Sequence, residues 1–524
     1  MKKIHGLLLA SCSAAVLAGC GPSDIASPGT GGNVIINPAP TPTPTPTPTG
    51  PATVTPAAGC PTIADPQGLT DAGTISGPTG TWRVCSLPNR INRTITLTKV
   101  PGLLYQLPGR VDVGTDGGAT ATAADTNVVL NIEPGVIVFG GTGVSWLHVN
   151  RGNRINAAGT ATNPIVFTSR DNVLGLNTET SSGQWGGIVL SGRAPTTDCT
   201  IAPAATPGSA QCERQTEGAV DPAIYGGANP ADNSGTMRYV QIRYSGYVLS
   251  GNSELQSLTL QGVGTGTQLS HIQSVNSSDD GIEIFGGRVN MKYLIVGGAE
   301  DDSVDTDTGT KTNIQYLIAF QRPGVGNGII EADSDNSADG NTPRQNTRLA
   351  NVTFLHTGTA GDTQASILLR GGTDYSIANG VMVSPNYACL RISRTQTASA
   401  TVDAGIDEAG APLFRSFVMQ CGTPKYIGSN GVTATDAQNI FGSGSNNNND
   451  AFTPTLASQF INGTNEGGVP GFDAKTWVSF FDTTTWIGAV RNTADNWYAG
   501  WTCNMSYLTF GTGNSGACTS LPVT

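Results

Sequence analysis

The sequence predicts an all-β protein: a right-handed parallel β-helix with an N-terminal β-cap and an irregular C-terminal cap. Three observations carry this. Only 12% of residues are charged and 69 of 524 are Gly, so the long Ala/Leu/Glu/Lys runs that build helices are scarce. Val, Ile, Thr and aromatic residues fall instead in strand-length pieces, each ended by Gly, Asn or Asp. Finally, Asp279-Asp280-Gly281-Ile282-Glu283 recurs 22 residues later as Asp301-Asp302-Ser303-Val304-Asp305, and Asn327-Gly328-Ile329-Ile330-Glu331 is a looser third copy. One short apolar strand repeating at that period marks a solenoid. A β-sandwich would show closer hairpin turns without the echo.

Residues 1–19 read as an export signal. Lys2 and Lys3 form its charged head and Leu7 to Val16 its apolar segment. The ending Leu17-Ala18-Gly19-Cys20 resembles a lipobox, which makes Cys20 the expected lipidation site; the alternative is a plain signal peptide with Cys20 incidental. Residues 20–59 are a linker whose Pro-Thr alternation from Pro40 to Thr49 favours extended polyproline II, a semi-rigid stalk. No later segment offers the ~18 continuous apolar residues of a membrane span. With Cys12 in the signal and Cys20 lipidated, eight cysteines remain. An even count in an exported chain reads as disulfides, and sequence-local couples favour Cys60–Cys85, Cys199–Cys212, Cys389–Cys421 and Cys503–Cys518. The chain has no CxxC, which weakens a metal reading of these cysteines.

Residues 60–126 are expected to form the N-terminal β-cap that shields an open solenoid edge. Rungs are expected over 127–395, beginning at VVLNIEPGVIVFGG, and a cap region over 396–524. Beyond Arg394 the pattern reads as Gly/Asn-rich loop. It is followed by one short helix candidate and an aromatic cluster: Trp477, Phe480, Phe481, Trp486, Trp497, Tyr498 and Trp501. Burial of these rings over the last coil is the favoured reading, sugar stacking the other.

The strings VNRGNRINAAGTATNPIVFTS, QWGGIVLSGRAP, GGANPADNSGTMRYVQIRYSGY, LTLQGVGTGTQLSHIQ, DDGIEIFGG and VDTDTG, in that order, resemble a largely uncharacterised family of exported bacterial β-helix lipoproteins and surface proteins. The resemblance spans about Val128 to Ser393, and WIGAVRN and NWYAGWT look like the family's closing segment. It implies a right-handed β-helix at the cell surface, in some cases encoded beside TonB-dependent receptors, and it supplies no catalytic residues; Gly21 after Cys20 resembles lipoproteins sorted to the outer membrane. The expected partners are therefore the outer membrane through a lipid anchor, and a polysaccharide or a TonB-dependent receptor. A net charge of −11 disfavours nucleic acid.

Strand alternation puts Ile282, Val304 and Ile330 inside and Glu283, Asp305 and Glu331 in one outward column. Asp307 and Asp333 join the next column, beside Phe285. Three readings of this ladder stay open. Calcium suits it, as a hard cation taking six to eight oxygens, with Glu283, Asp305, Asp307, Glu331 and Asp333 as ligands. A solvated acidic face with Asx-turns needs no ligand. Catalysis would use the pairs Asp279-Asp280 and Asp301-Asp302, which are similar in type and spacing to the acidic motifs of polygalacturonase-like glycosidases. That family also needs a Gly-His-Gly, which is absent, and only Arg391-Ile392-Ser393 resembles its Arg-Ile-Lys. His271 and His356 read as surface rung positions, and nothing in the sequence places Arg370 or Arg391, candidate bases for a lyase, near the acids. The balance favours a surface binding or scaffold module over a polysaccharide-active enzyme.

Overall fold

The computed structural model describes residues 53–250, 253–334, 339–359, 365–511 and 516–523. The export signal, Cys20 and the Pro-Thr stalk lie outside the described residues. From Gly80 onward the chain winds as a parallel β-helix, laying strands alternately into two sheets. One sheet has longer strands, and its order follows the sequence. It runs Gly80–Ser86, Leu103–Leu107, Ile137–Gly140, Ile165–Ser169, Gly235–Arg243, Gln268–Val275, Asn290–Gly297, Asn313–Phe320, Asn346–Leu355, Asp374–Ser384 and Leu413–Cys421. The sheet of shorter strands runs through Arg110–Val113, Trp146–Val149, Ile188–Ser191, Leu258–Gln261, Ile282–Phe285, Val304–Asp307, Ile330–Ala332, Ala365–Leu369, Ala388–Ser393 and Tyr426–Ser429.

Alternation sets the core. Val149, Leu190, Leu260 and Ile284 stand in one register column, all fully buried. Each fully buried aliphatic side chain contributes roughly 1.5–3 kcal/mol, and in a solenoid those contributions accrue between neighbouring rungs. The longer strands break midway at one residue in left-handed backbone: Tyr239, His271, Tyr293, Tyr316, Asn351, Asn379 and Ser416, with φ between 50° and 63°. Such φ values are uncommon outside Gly and strain Tyr and His. Ring stacking offsets the cost here: Tyr239–His271, His271–Tyr293 and Tyr293–Tyr316 centroids lie 4.3, 4.5 and 4.8 Å apart.

Two boundaries differ from the sequence reading. Strands Gly80–Ser86, Leu103–Leu107 and Arg110–Val113 within 60–126 pair in parallel with the body, so they are rungs rather than a separate cap. Only Thr70–Gly77 pairs antiparallel at that edge, as a hairpin arm of Gly80–Ser86. The solenoid also continues past 395 through Leu413–Cys421 and Tyr426–Ser429, where the chain reads as loop. The helix Ala434–Phe441 then covers the end of the core, with Phe441 against Phe414, Phe417 and Tyr426.

The remaining C-terminal chain is a strap, not an end cap. It travels back along the outer face of the longer-strand sheet. Asn379 bonds Phe472, Asn351 donates to the Trp486 carbonyl, and Gln273 exchanges two 2.9 Å hydrogen bonds with the Cys503 backbone. Asn172 reaches the Cys518 carbonyl near the start of the solenoid. The strap buries Ile295, Ile318 and Phe320, which point away from the core. Trp501, Phe481 and Tyr498 are buried on this face, while Trp477, Phe480, Trp486 and Trp497 stay partly exposed. The four expected disulfides are all present.

Candidate functional site: a buried carboxylate cleft

The outer face of the shorter-strand sheet carries the acids. Glu283 pairs in register with Asp305, and Asp305 with Glu331, giving the column that alternation requires. Phe285 pairs with Asp307 in the next column. Before each strand, Asp280 and Asp302 occupy equivalent positions, and Asp280 Oδ1 accepts the Asp302 backbone N–H at 2.8 Å. The third copy has Gly328 there. A Cβ at Gly328 would sit 2.4 Å from Asp302 Oδ1, so the absent side chain makes room for that carboxylate.

The expectation of a solvated acidic face is not met. Glu283 is 8% exposed, Asp280 5% and Asp302 4%. Burial comes from the insertion that leaves the sheet after Ser191. Thr197 donates its backbone N–H to the Thr308 carbonyl at 3.0 Å, and Tyr225 packs on Phe285 with ring centroids 6.3 Å apart. The Cys199–Cys212 bond closes this insertion. Asp279, Asp280, Glu283, Asp301, Asp302, Asp305 and Glu331 thus line one cleft of about 440 Å³, with Glu217, Glu254 and Gln256 on its rim.

Arg370 is also in the cleft wall. It forms ion pairs with Glu331 and, at 3.0 Å, with Asp333. Arg391 follows in the Glu283 column, two rungs beyond Glu331, and its guanidinium reaches Ser429. Among the described residues no histidine lines the cleft. His271 is a half-buried rung residue within the aromatic stack, whereas His356 is buried against Ser366 and Tyr387 and is not the surface rung residue that the sequence suggests.

Loss of water is the main influence on the acids. It pushes Asp280, Glu283, Asp302 and Asp305 well above the carboxylate range, and repulsion among neighbours adds to it. Burial and the nearby acids also push Asp279 up to about 7. Asp333 rises to about 7 and Asp307 to about 6 by desolvation, held back by Arg370 and Arg214 respectively. Two ionised carboxylates 4.8 Å apart repel by about 3.5 kcal/mol at an effective dielectric near 20. Protons, a cation or a basic side chain such as Arg370 would relieve that repulsion.

Among the described residues, two triads have carboxylate oxygens mutually within 4.8 Å: Asp280–Glu283–Asp305 and Asp279–Asp280–Asp301. Asp280, from the expected catalytic set, thus joins Glu283 and Asp305 of the expected metal-ligand set, and the two triads share it. Asp305 Oδ1 is buried with no hydrogen-bond partner. Asp307, Glu331 and Asp333 belong to neither triad, and Glu331 and Asp333 are held by Arg370 instead.

Sequence reasoning missed a second polar cluster on the same face, in which Asp112 and His148 continue the Glu283 column and Ser191 the Phe285 column. His148 Nδ1 lies 2.8 Å from Asp112 Oδ1, and His148 Nε2 lies 2.9 Å from Ser191 Oγ. The order resembles a Ser–His–Asp relay. Ser191 is 1% exposed and His148 fully buried, so no substrate reaches the hydroxyl, and the cluster ties three rungs together.

A model of the pectate-lyase-like beta-helix domain matches residues 117–502. That span covers the cleft, its covering insertion and most of the strap, and leaves out the rungs before residue 117. Neither the curated proteins nor the solved structures contain a match. With most of its length inside that model, and its two parallel sheets stacked turn on turn, the chain belongs to the pectate-lyase-like beta-helix domain family.

Proposed function

We propose that the cleft binds Ca²⁺ and that the bound ion recruits an acidic polysaccharide, making the protein a cation-dependent polysaccharide-binding module. The family domain is compatible with a polysaccharide-related role. The observation that carries the reading is the triad Asp280–Glu283–Asp305, with oxygens within 4.8 Å of one another and Asp305 Oδ1 unpartnered. Three oxygens that close have a common centre no more than about 2.8 Å away, so a small inward shift brings them to the roughly 2.3–2.6 Å of Ca²⁺–oxygen bonds, whereas Mg²⁺ prefers about 2.1 Å and a tighter octahedron. The ion would replace the protons that burial otherwise forces onto these groups. An anionic sugar fits next to it, with Arg370 on the same wall. In this reading the lipidated Cys20 and its stalk hold the module at the outer membrane, where a polysaccharide or a TonB-dependent receptor is the partner; a Cys20→Ser chain that still partitions with membranes would count against the anchor.

Calorimetric titration of CaCl₂ into chelator-treated protein tests the core of the proposal. Saturable binding and a raised Tm are expected, and both disappear in Asp305→Asn/Glu283→Gln. No heat and no Tm change at millimolar Ca²⁺ would sink it. A second reading, hydrolysis by acid–base carboxylates, is favoured by Asp279, whose carboxyl is poised at about 7 within 4.8 Å of Asp301 and Asp280. Cleavage of acidic or neutral polysaccharides that Asp301→Asn/Asp302→Asn abolishes would make the protein an enzyme.

A further inference from the structure

We infer a second, cation-independent site on the longer-strand sheet that binds a neutral pyranose of a glycan chain. Where the strap crosses the aromatic ladder it leaves a pocket of about 400 Å³, lined by Tyr293 and Tyr316 from the rungs and Trp486 and Trp497 from the strap. That volume falls in the range of small-molecule pockets, which combine aromatic walls with a few placed polar groups. Tyr293 and Tyr316 stack nearly parallel, with an interplanar angle of 11°, and Trp497 leans on Tyr293 at 5.4 Å. Tyr293 is covered on its two faces by His271 and Tyr316, so the stack is a fixed apolar wall, and the half-exposed Trp486 and Trp497 indoles are the rings left to meet the C–H-bearing side of a sugar, which is apolar while its rim is polar.

The polar rim is present. Arg491, Asn492 and Asp495 line the same pocket, and their opposite charges balance. The indole Nε1 of Trp486 is buried without a hydrogen-bond partner, a donor that a sugar hydroxyl would satisfy. Trp497 Nε1, by contrast, already donates to the Ala489 carbonyl at 3.1 Å. A cationic ligand fits less well, because the Arg491 guanidinium already lies 5.1 Å over the Trp486 ring. Balanced charge likewise disfavours an anion. A neutral polyhydroxylated ring uses every group in the pocket.

The site does not depend on the acid cleft, which lies on the other sheet, and the two readings fail separately. Tryptophan fluorescence and calorimetry on the folded chain would follow titration with cellohexaose, mannohexaose and xylohexaose, with hexagalacturonate as the charged arm. Saturable binding of at least one neutral hexaose below about 1 mM is expected, unchanged by chelator and by Asp305→Asn. Trp486→Ala and the exposed Asn492→Ala should each weaken it about tenfold or more, at unaltered Tm for Asn492→Ala. The inference is overturned by no saturation with any neutral hexaose at 10 mM. It is equally overturned by affinity unaffected in both variants, by binding lost on chelation, or by hexagalacturonate binding more tightly than every neutral hexaose.

Discussion

At the scale of the residue, Asp279 shows what burial does to an acid in this cleft. Its carboxyl rises to about 7 from 3.8, first by desolvation and then by the charges of Glu254 and Asp301. Between those values the folded, metal-free protein holds more protons than the unfolded chain, so its stability falls as pH rises. Metal-free protein is expected to melt at a higher temperature at pH 5 than at pH 8, with the Asp279 contribution lost progressively above 3.8 and gone once the pH passes about 7; millimolar Ca²⁺ should flatten the dependence. Thermal melts across that range check it, and a metal-free Tm that rises with pH would contradict it. Gly328 is the second telling residue. Gly328→Ala drives a Cβ into the Asp302 carboxylate and should cost about 1–3 kcal/mol in urea unfolding, the usual penalty of overpacking.

At the scale of the element, the strap decides more than its irregular backbone suggests. Polar side chains of the longer-strand sheet satisfy strap peptide groups, as Asn351 and Asn379 do and as Gln273 does for the N–H and carbonyl of Cys503. Gln273→Ala leaves both groups buried without partners, so a loss of about 1–3 kcal/mol is expected by chemical denaturation. A loss below about 0.5 kcal/mol would mean water takes over the role. The ladder is visible in the sequence once its meaning is known. Arg238-Tyr239-Val240, Ser270-His271-Ile272, Lys292-Tyr293-Leu294, Gln315-Tyr316-Leu317, Ala350-Asn351-Val352 and Arg415-Ser416-Phe417 share one pattern, and the last would have carried the rungs past 395. That last copy escapes a strand reading because its left-handed residue shifts the alternation by one, so the two halves of the long strand look out of phase.

At the scale of the whole molecule, the insertion closed by Cys199–Cys212 turns an acidic sheet face into a buried cleft. A Cys199→Ser/Cys212→Ser protein is expected to lose up to about 3 kcal/mol, the order for a loop of this size, and to bind Ca²⁺ more weakly as water re-enters. Unchanged affinity would show that the insertion covers the cleft without organising it. The sequence by itself determined the solenoid, the sequence-local disulfides and the register of Glu283, Asp305 and Glu331. Those follow from period, alternation and nearest-neighbour stacking, which are local properties of the chain. Only the tertiary structure decided that the acids are buried, that Arg370 joins them, that Asp280 links two carboxylate triads, and that the C-terminal chain is a strap rather than a cap. Each of those depends on segments far apart in sequence folding over one face, and no short-range pattern encodes which distant loop covers which rung.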